Sequence, residues 1–195
     1  MRAAALADHI LAPALNRVGQ EWEAGRLDVL HEHRGLQICT EVLYRLKALV
    51  ITPASRTRPV AVGGAPEGHW HGLASQLAEL VLLEAGWSSV NLGQNTPFAS
   101  FRKAVAELRP RLLWLSINEV SQRRAFLDGY RELYEDARKA GAAVAVGGRG
   151  LTGELRAAMP YTTFGDGLTH LAAFAATLHA PPRRRPRGRP RLSSP

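Results

Sequence analysis

The sequence predicts an α/β protein: an N-terminal helical cap, then a five-stranded, doubly wound parallel sheet. Three observations predict it. From Pro59 onward, short apolar runs without alternation recur between stretches of helical spacing, as parallel strands covered on both faces require. Before Val50, apolar residues fall only at three- and four-residue steps, with no strand-like run. Beyond Ala180 the chain turns to Pro, Arg, Gly and Ser, a composition that cannot bury a core.

The cap, residues 1–50, reads as two antiparallel helices. Ile10, Leu11, Ala14, Leu15, Val18 and Trp22 form one apolar stripe, which Gly25 ends; Leu36, Cys39, Val42, Leu43 and Leu46 form the next. Residues 51–58, with two prolines and small polar residues, read as a linker. Residues 59–180 carry the sheet domain. Strands are expected at Val60–Val62, Ser89–Leu92, Leu112–Ile117, Ala143–Val146 and Thr162–Phe164. Helices are expected at His71–Ala85, Pro97–Leu108, Ser121–Ala140, Gly153–Ala158 and Gly167–His179. Five such units give a Rossmann-like, flavodoxin-like sheet of order 2-1-3-4-5. Residues 181–195 read as a disordered tail.

Composition narrows the function. Hydrophobic residues make up 46 % of 195, a globular value. The longest apolar runs are far too short to span a bilayer, and the N-terminus, with Asp8 inside it, does not read as a signal peptide. A single cysteine, Cys39, rules out an internal disulfide and a cysteine-built zinc site. A cytoplasmic protein without a membrane partner is expected. Of the net charge of +8, six units sit on Arg183, Arg184, Arg185, Arg187, Arg189 and Arg191, leaving +2 for the body. The basicity belongs to the tail.

Ligands of doubly wound sheets bind at the strand carboxyl ends where strand order reverses, here between the first and third strands. The loops involved are Gly63–Gly72 and Ser116–Ser121. The first holds Glu67-Gly-His69-Trp-His71-Gly72. An imidazole at such a junction suits a metal, a phosphate, a proton transfer or an ordinary capped turn. A metal-bound histidine gives its other ring N–H to a carboxylate or carbonyl, and Glu67 or a backbone carbonyl is at hand. Gly68 and Gly72 let the loop turn and a bulky ligand approach. One histidine holds a bare ion weakly, but it suffices for a macrocycle that already fills most of the metal's coordination sphere. No carboxylate pair, Ser-His-Asp set or second metal site can be assembled, so an enzyme is not expected.

Glu67-x-His69-x-x-Gly72 resembles the signature of cobalamin-binding domains. Further matches are Ser116-Ile-Asn118 after the third strand, Leu92-Gly93-Gln-Asn-Thr96-Pro97 after the second, and Gly147-Gly148 ending the fourth. The resemblance implies that His69 is the lower axial ligand of cobalt, oriented by Glu67, with Gly72 in the signature. It also implies that Ser116, Asn118, Gly147 and Gly148 line the channel taken by the displaced nucleotide of adenosylcobalamin or methylcobalamin. In the cap, Trp22 and the pair Glu32-His33 resemble the helical half of CarH-like light-sensing transcription regulators, where they would cover the cofactor's upper face. An indole suits that role, being large, rigid and apolar.

The sequence departs from that group in three ways. No winged-helix domain is read ahead of the cap. The cap has room for about two helices of a four-helix bundle, so the rest is missing or comes from another subunit. Glu23 stands directly after Trp22 where the light-sensing members carry a histidine. The function expected is a cobalamin-binding sensor or regulator, a photoreceptor among the options, acting through a homo-oligomer or a transcription-factor partner. The alternatives are a corrinoid shuttle for methyl transfer, or a sensor of another tetrapyrrole, a bilin or haem, with Cys39 as a conceivable bilin attachment point. In the tail, Arg187-Gly188-Arg189-Pro190 resembles an AT-hook centre, which fits the narrow A·T minor groove and its negative potential. The other reading is a solvated arginine-rich tail.

Overall fold

The computed structural model describes residues 2–50, 58–70 and 72–179. The linker expectation over 51–57, His71 and the AT-hook reading of Arg187, Gly188, Arg189 and Pro190 therefore lie outside the described residues.

The cap contains α1 (Ala3–Leu6), a π-helical turn (Ala7–Leu11), α2 (Ala12–Glu23) and α3 (Val29–Val50). The sheet domain runs β1 (Val60–Gly64), α4 (Leu73–Glu84), β2 (Ser88–Asn91), α5 (Phe98–Leu108), β3 (Leu112–Ser116), α6 (Arg123–Lys139), β4 (Ala143–Gly147), α7 (Gly153–Ala158), β5 (Thr163–Gly165) and α8 (Leu168–His179). All strand pairings are parallel, in the order β2-β1-β3-β4-β5. The expected strands and helices are all present, with ends displaced by a residue or two. The switch point falls between β1 and β3 as expected.

Period-two alternation sorts β3 between two cores. Leu113, Leu115 and the following Ile117 pack with Phe101 and Val105 of α5 and Phe126, Tyr130 and Leu133 of α6. Leu112 and Trp114 point the other way, into a cluster with Ala78 and Leu82 of α4 and Ala175 of α8. The sheet is thus a septum with a different filling on each face.

The cap differs from expectation at its start. The helix begins at Ala3, and a π turn interrupts it before the stripe assigned from Ile10. A π turn takes in an extra residue and shifts the phase of every side chain beyond it. Ala3, Ala4 and Ala7 are therefore buried with Leu73, Leu77, Leu80 and Val81 of α4, joined by Leu11 and Leu15, while Ile10 is 48 % exposed. Small alanines let the cap backbone approach α4 closely. On α3, Leu43 is buried in this cluster with Leu36, Cys39 and Leu46 packed beside it, whereas Val42 faces outward.

Polar contacts fix the cap. Lys47 Nζ of α3 lies 2.6 Å from the buried Glu79 carboxylate of α4. Asp8, in the π turn, caps α8 across the chain, accepting from the Leu168 and Thr169 amides at 2.8 Å each and from the Thr169 hydroxyl at 2.6 Å. Partial burial alone would raise its pKa. The hydrogen bonds from Thr169 and Leu168, with the charge of His9, outweigh that and hold it below the usual carboxylate value. A depressed folded-state pKa contributes stability above the unfolded value, near 4, that is lost as pH falls through the folded value. Asp8→Ala should cost about 1 kcal/mol at pH 7. The gap between parent and variant in chemical denaturation should close as the pH drops below roughly 4. A gap independent of pH would show that the carboxylate charge contributes nothing.

Candidate functional site

The loop from β1 to α4 is strapped to the loop from β2 to α5. Ala65 donates to Gly93 O at 2.8 Å, Thr96 to Ala65 O at 3.0 Å and Asn95 to His69 O at 2.9 Å. Asn95 adopts a left-handed φ of +50° and accepts the Gly68 amide on its side-chain oxygen at 2.8 Å. Asn tolerates that conformation better than most residues, and Gly68, at φ +83°, completes the turn. Asn95 and the buried Thr96 were not singled out in the sequence as a clamp on the histidine loop. Their signal was an Asn in a Gly93–Pro97 turn.

The result is a fixed imidazole. His69 is 2 % exposed. Its Nδ1 lies 3.1 Å from Pro66 O and 3.0 Å from Glu67 O. Carbonyl oxygens only accept, so Nδ1 carries the proton and Nε2 the lone pair. Nε2 is buried and has no hydrogen-bond partner. The orienting atom of Glu67 is thus its main-chain oxygen, while the residue itself is exposed. Phe126 stands 6.0 Å from the imidazole, centroid to centroid, and Phe98 packs on Phe126 at 5.3 Å. Among the described residues, no three His, Cys, Asp or Glu side chains gather into a metal site.

The other expected site residues outside the β1–α4 loop and the cap, Ser116, Asn118, Gly147 and Gly148, lie at the ends of β3 and β4. Ser116 is buried and accepts from Asn118 Nδ2 at 3.4 Å. Ile117 N donates to Gly147 O at 2.7 Å and Gly150 N to Ile117 O at 2.9 Å. Gly148 has φ +111°, and a Cβ there would lie 2.3 Å from Ile117 O. Gly72 sits against Gln94, whose Oε1 would be 2.6 Å from an added Cβ. A cleft of about 360 Å³ opens beside Gly72, between α3 and α4, lined by Tyr44, Lys47, Gln76, Glu79, Asn91 and Gln94.

The cap residues are less closely drawn in. Trp22 closes α2 and is 41 % exposed, Glu32 is half-buried and His33 exposed. Among the described residues, no hydrogen bond, ion pair or ring contact links them to the His69 loop. Cys39 is half-buried against the cap core, which suits packing better than a tetrapyrrole attachment.

An unpartnered, buried, lone-pair-bearing nitrogen, fixed by carbonyl oxygens at the ring's other end, is the donor that a metal macrocycle needs. Residues 1–47 match the model of the B12 binding domain family. The HTH-type transcriptional repressor CarH of Myxococcus xanthus is 36 % identical over 109 residues, 56 % of this chain and 36 % of that protein. A dimethylamine corrinoid protein of Methanosarcina barkeri is 27 % identical over 107 residues, 54 % of this chain and 50 % of that protein. The chain thus spans half or less of the length of these relatives. Among solved structures, the Methanosarcina barkeri monomethylamine corrinoid protein superposes with a TM-score of 0.75 at 16 % identity, covering 91 % of this chain and 84 % of that one. A cobalamin-binding protein from Desulfitobacterium hafniense gives 0.54 at 18 % identity, covering 85 % and 78 %. These structures show the shared fold. Residues 1–47 are thus similar to the B12 binding domain, and the chain is similar in sequence to a transcriptional repressor and to a corrinoid protein.

Proposed function

We propose that the chain is a corrinoid-binding sensor or regulatory protein in which His69 Nε2 is the lower axial ligand of cobalt in adenosylcobalamin or methylcobalamin. The observation that carries this reading is the bare, buried Nε2 atom with its partner nitrogen held by two carbonyl oxygens. The cofactor when bound would supply a cobalt–carbon bond, sensitive to light or to its upper ligand. The chain's own residues orient, enclose and report. The Pro66 and Glu67 carbonyls aim the imidazole, Asn95 and Thr96 hold its loop, and Gly72, Ser116, Asn118, Gly147 and Gly148 form the rim. Trp22, Glu32 and His33 on the cap would meet the upper face.

A regulatory role is favoured over methyl transfer by the repressor relative at 36 % identity and by Trp22 with Glu32-His33. On this reading the protein is not an enzyme. Its signal would pass through a second copy of the chain, a transcription factor, or A·T-rich DNA bound by the arginine-rich tail. The shuttle reading has its own support in the dimethylamine corrinoid relative.

The test is an absorption spectrum after dark incubation with adenosylcobalamin, desalting and illumination. Retained corrinoid whose spectrum changes with light in a protein-specific way supports a photoreceptor, despite Glu23 beside Trp22. Retained corrinoid without that response favours a ligand sensor or a shuttle. If neither adenosylcobalamin nor cobinamide is retained, the reading fails, and haem and biliverdin become the ligands to try.

A further inference from the structure

We propose that Trp114 sets the size of the lower appendage this chain accepts, filling the lane that the displaced base of a cobalamin would need. This rests on the corrinoid reading above. Cobalamin carries a nucleotide tethered below its ring, ending in dimethylbenzimidazole, which competes with any protein ligand for the lower cobalt position. If His69 takes that position, the base remains attached to the same side of the ring and needs space in the protein beneath it.

The sheet offers such space on one face only. Toward α5 and α6, the ends of the strands are filled by Ile117, Phe101, Phe126 and Tyr130, all buried in one cluster. Toward α4 and α8 the cluster holds the large Leu82, Trp87 and Leu112, but its members Ala61, Ala78, Ala145 and Ala175 are small. Gly63, Trp114 and Ala145 are register neighbours on β1, β3 and β4, and Ala61, Ala78 and Ala175 join them. By alternation Ser116, paired with Gly147, tops this face two residues above Trp114. The lane of small residues therefore opens at the rim that holds Ser116 and Gly147.

One side chain fills it. Trp114 is 3 % exposed, and its indole lies against Gly63, where an added Cβ would fall 2.0 Å from Cδ2 and 2.4 Å from Cε2. Its Nε1 is buried with no partner, an unusual arrangement for a buried donor. An indole and a benzimidazole are both benzo-fused five-membered nitrogen rings of nearly equal size. The lane thus holds one bicyclic heteroaromatic, and the chain supplies its own. A corrinoid without the nucleotide, such as cobinamide, would use the His69 site without displacing Trp114.

Two measurements test this. In spectrophotometric titrations of the full chain and of Trp114→Ala, the variant should bind cobalamin about tenfold or more tightly than the parent, the scale on which pockets discriminate size. Its cobinamide affinity should change much less. The cost of detaching the base from cobalt is common to both proteins and cancels in this comparison. Equal changes for both corrinoids, or weaker cobalamin binding by the variant, overturn the proposal. Binding of neither corrinoid by the folded parent overturns the corrinoid reading beneath it.

The second measurement needs no corrinoid. Apolar cavities left by truncation bind ligands of the deleted shape. Free 5,6-dimethylbenzimidazole should raise the Tm of Trp114→Ala, or of the milder Trp114→Phe, and leave the parent unchanged. No rise in either variant overturns the match between lane and base.

Discussion

A His69→Ala protein is expected to lose corrinoid binding while keeping its fold. The parent's Nε2 is buried without a partner, a condition that costs about 1–3 kcal/mol. Truncating the ring removes that penalty and leaves a small cavity beside Phe126. The two effects oppose each other, so the unfolding midpoint of the ligand-free protein should stay close to the parent's. After the change Pro66 O still accepts the main-chain amide of residue 69 at 3.0 Å, and the Glu67 carbonyl lies in the exposed Glu67-Gly68 turn, where water can replace Nδ1–H. Binding should respond quite differently. Even residues that only support a metal ligand are worth about 10–100-fold in affinity, and loss of the ligand itself should cost at least as much. Any corrinoid still bound should lose the spectrum of a histidine-ligated cobalt centre, cobalamin reverting to the base-on form in which its own dimethylbenzimidazole holds the lower position. The measurement is a parallel titration and thermal melt of parent and variant. A large fall in Tm with affinity unchanged would make His69 an ordinary core histidine.

Much of this arrangement was legible in the sequence, for identifiable reasons. The strand runs from Val60, Leu112 and Ala143 are apolar without alternation and bounded by Gly, Pro or Arg, so only buried parallel strands accommodate them. Five such runs alternating with helices suit the common doubly wound order 2-1-3-4-5, whose switch point lies between the first and third strands. His69 lies in the loop that the topology places there. What the sequence could not show was set by three-dimensional contact. The tautomer of His69 depends on two carbonyl oxygens brought to Nδ1 by the fold of Pro66 and Glu67. The role of Asn95 depends on a partner across two loops, Gly68. The stripe from Ile10 was displaced because a π turn has no compositional signature in an Ala-rich helix. Trp22 read as a cofactor cover, yet the cap leaves 41 % of it exposed. A half-bundle cannot bury both faces of its own helices.

Gly148→Ala is expected to be the most damaging small substitution in the rim. At φ +111° the backbone occupies a region that side chains rarely enter, a strain of about 1–3 kcal/mol. Sterics add to it. The new methyl would stand 2.3 Å from Ile117 O and 2.8 Å from Ile117 N. Neither atom can retreat, because Ile117 is fully buried, its amide is bonded to Gly147 O at 2.7 Å, and its carbonyl accepts from Gly150 N at 2.9 Å. Relief requires parting the ends of β3 and β4, which moves Ser116 and Gly147 together with the lane beneath them. A loss of about 3 kcal/mol should lower Tm by roughly 6–12 °C in a chain of this size, and corrinoid affinity should fall with it. Gly153→Ala is the control a few residues away. Gly153 opens α7, its φ is unexceptional, and the nearest atom to an added Cβ is a flexible Arg156 nitrogen at 3.9 Å. There, alanine should be neutral or stabilising by up to about 1 kcal/mol. Equal tolerance at both positions would mean that the β4 turn relaxes freely, and that the rim does not need the close approach of Gly148 to Ile117.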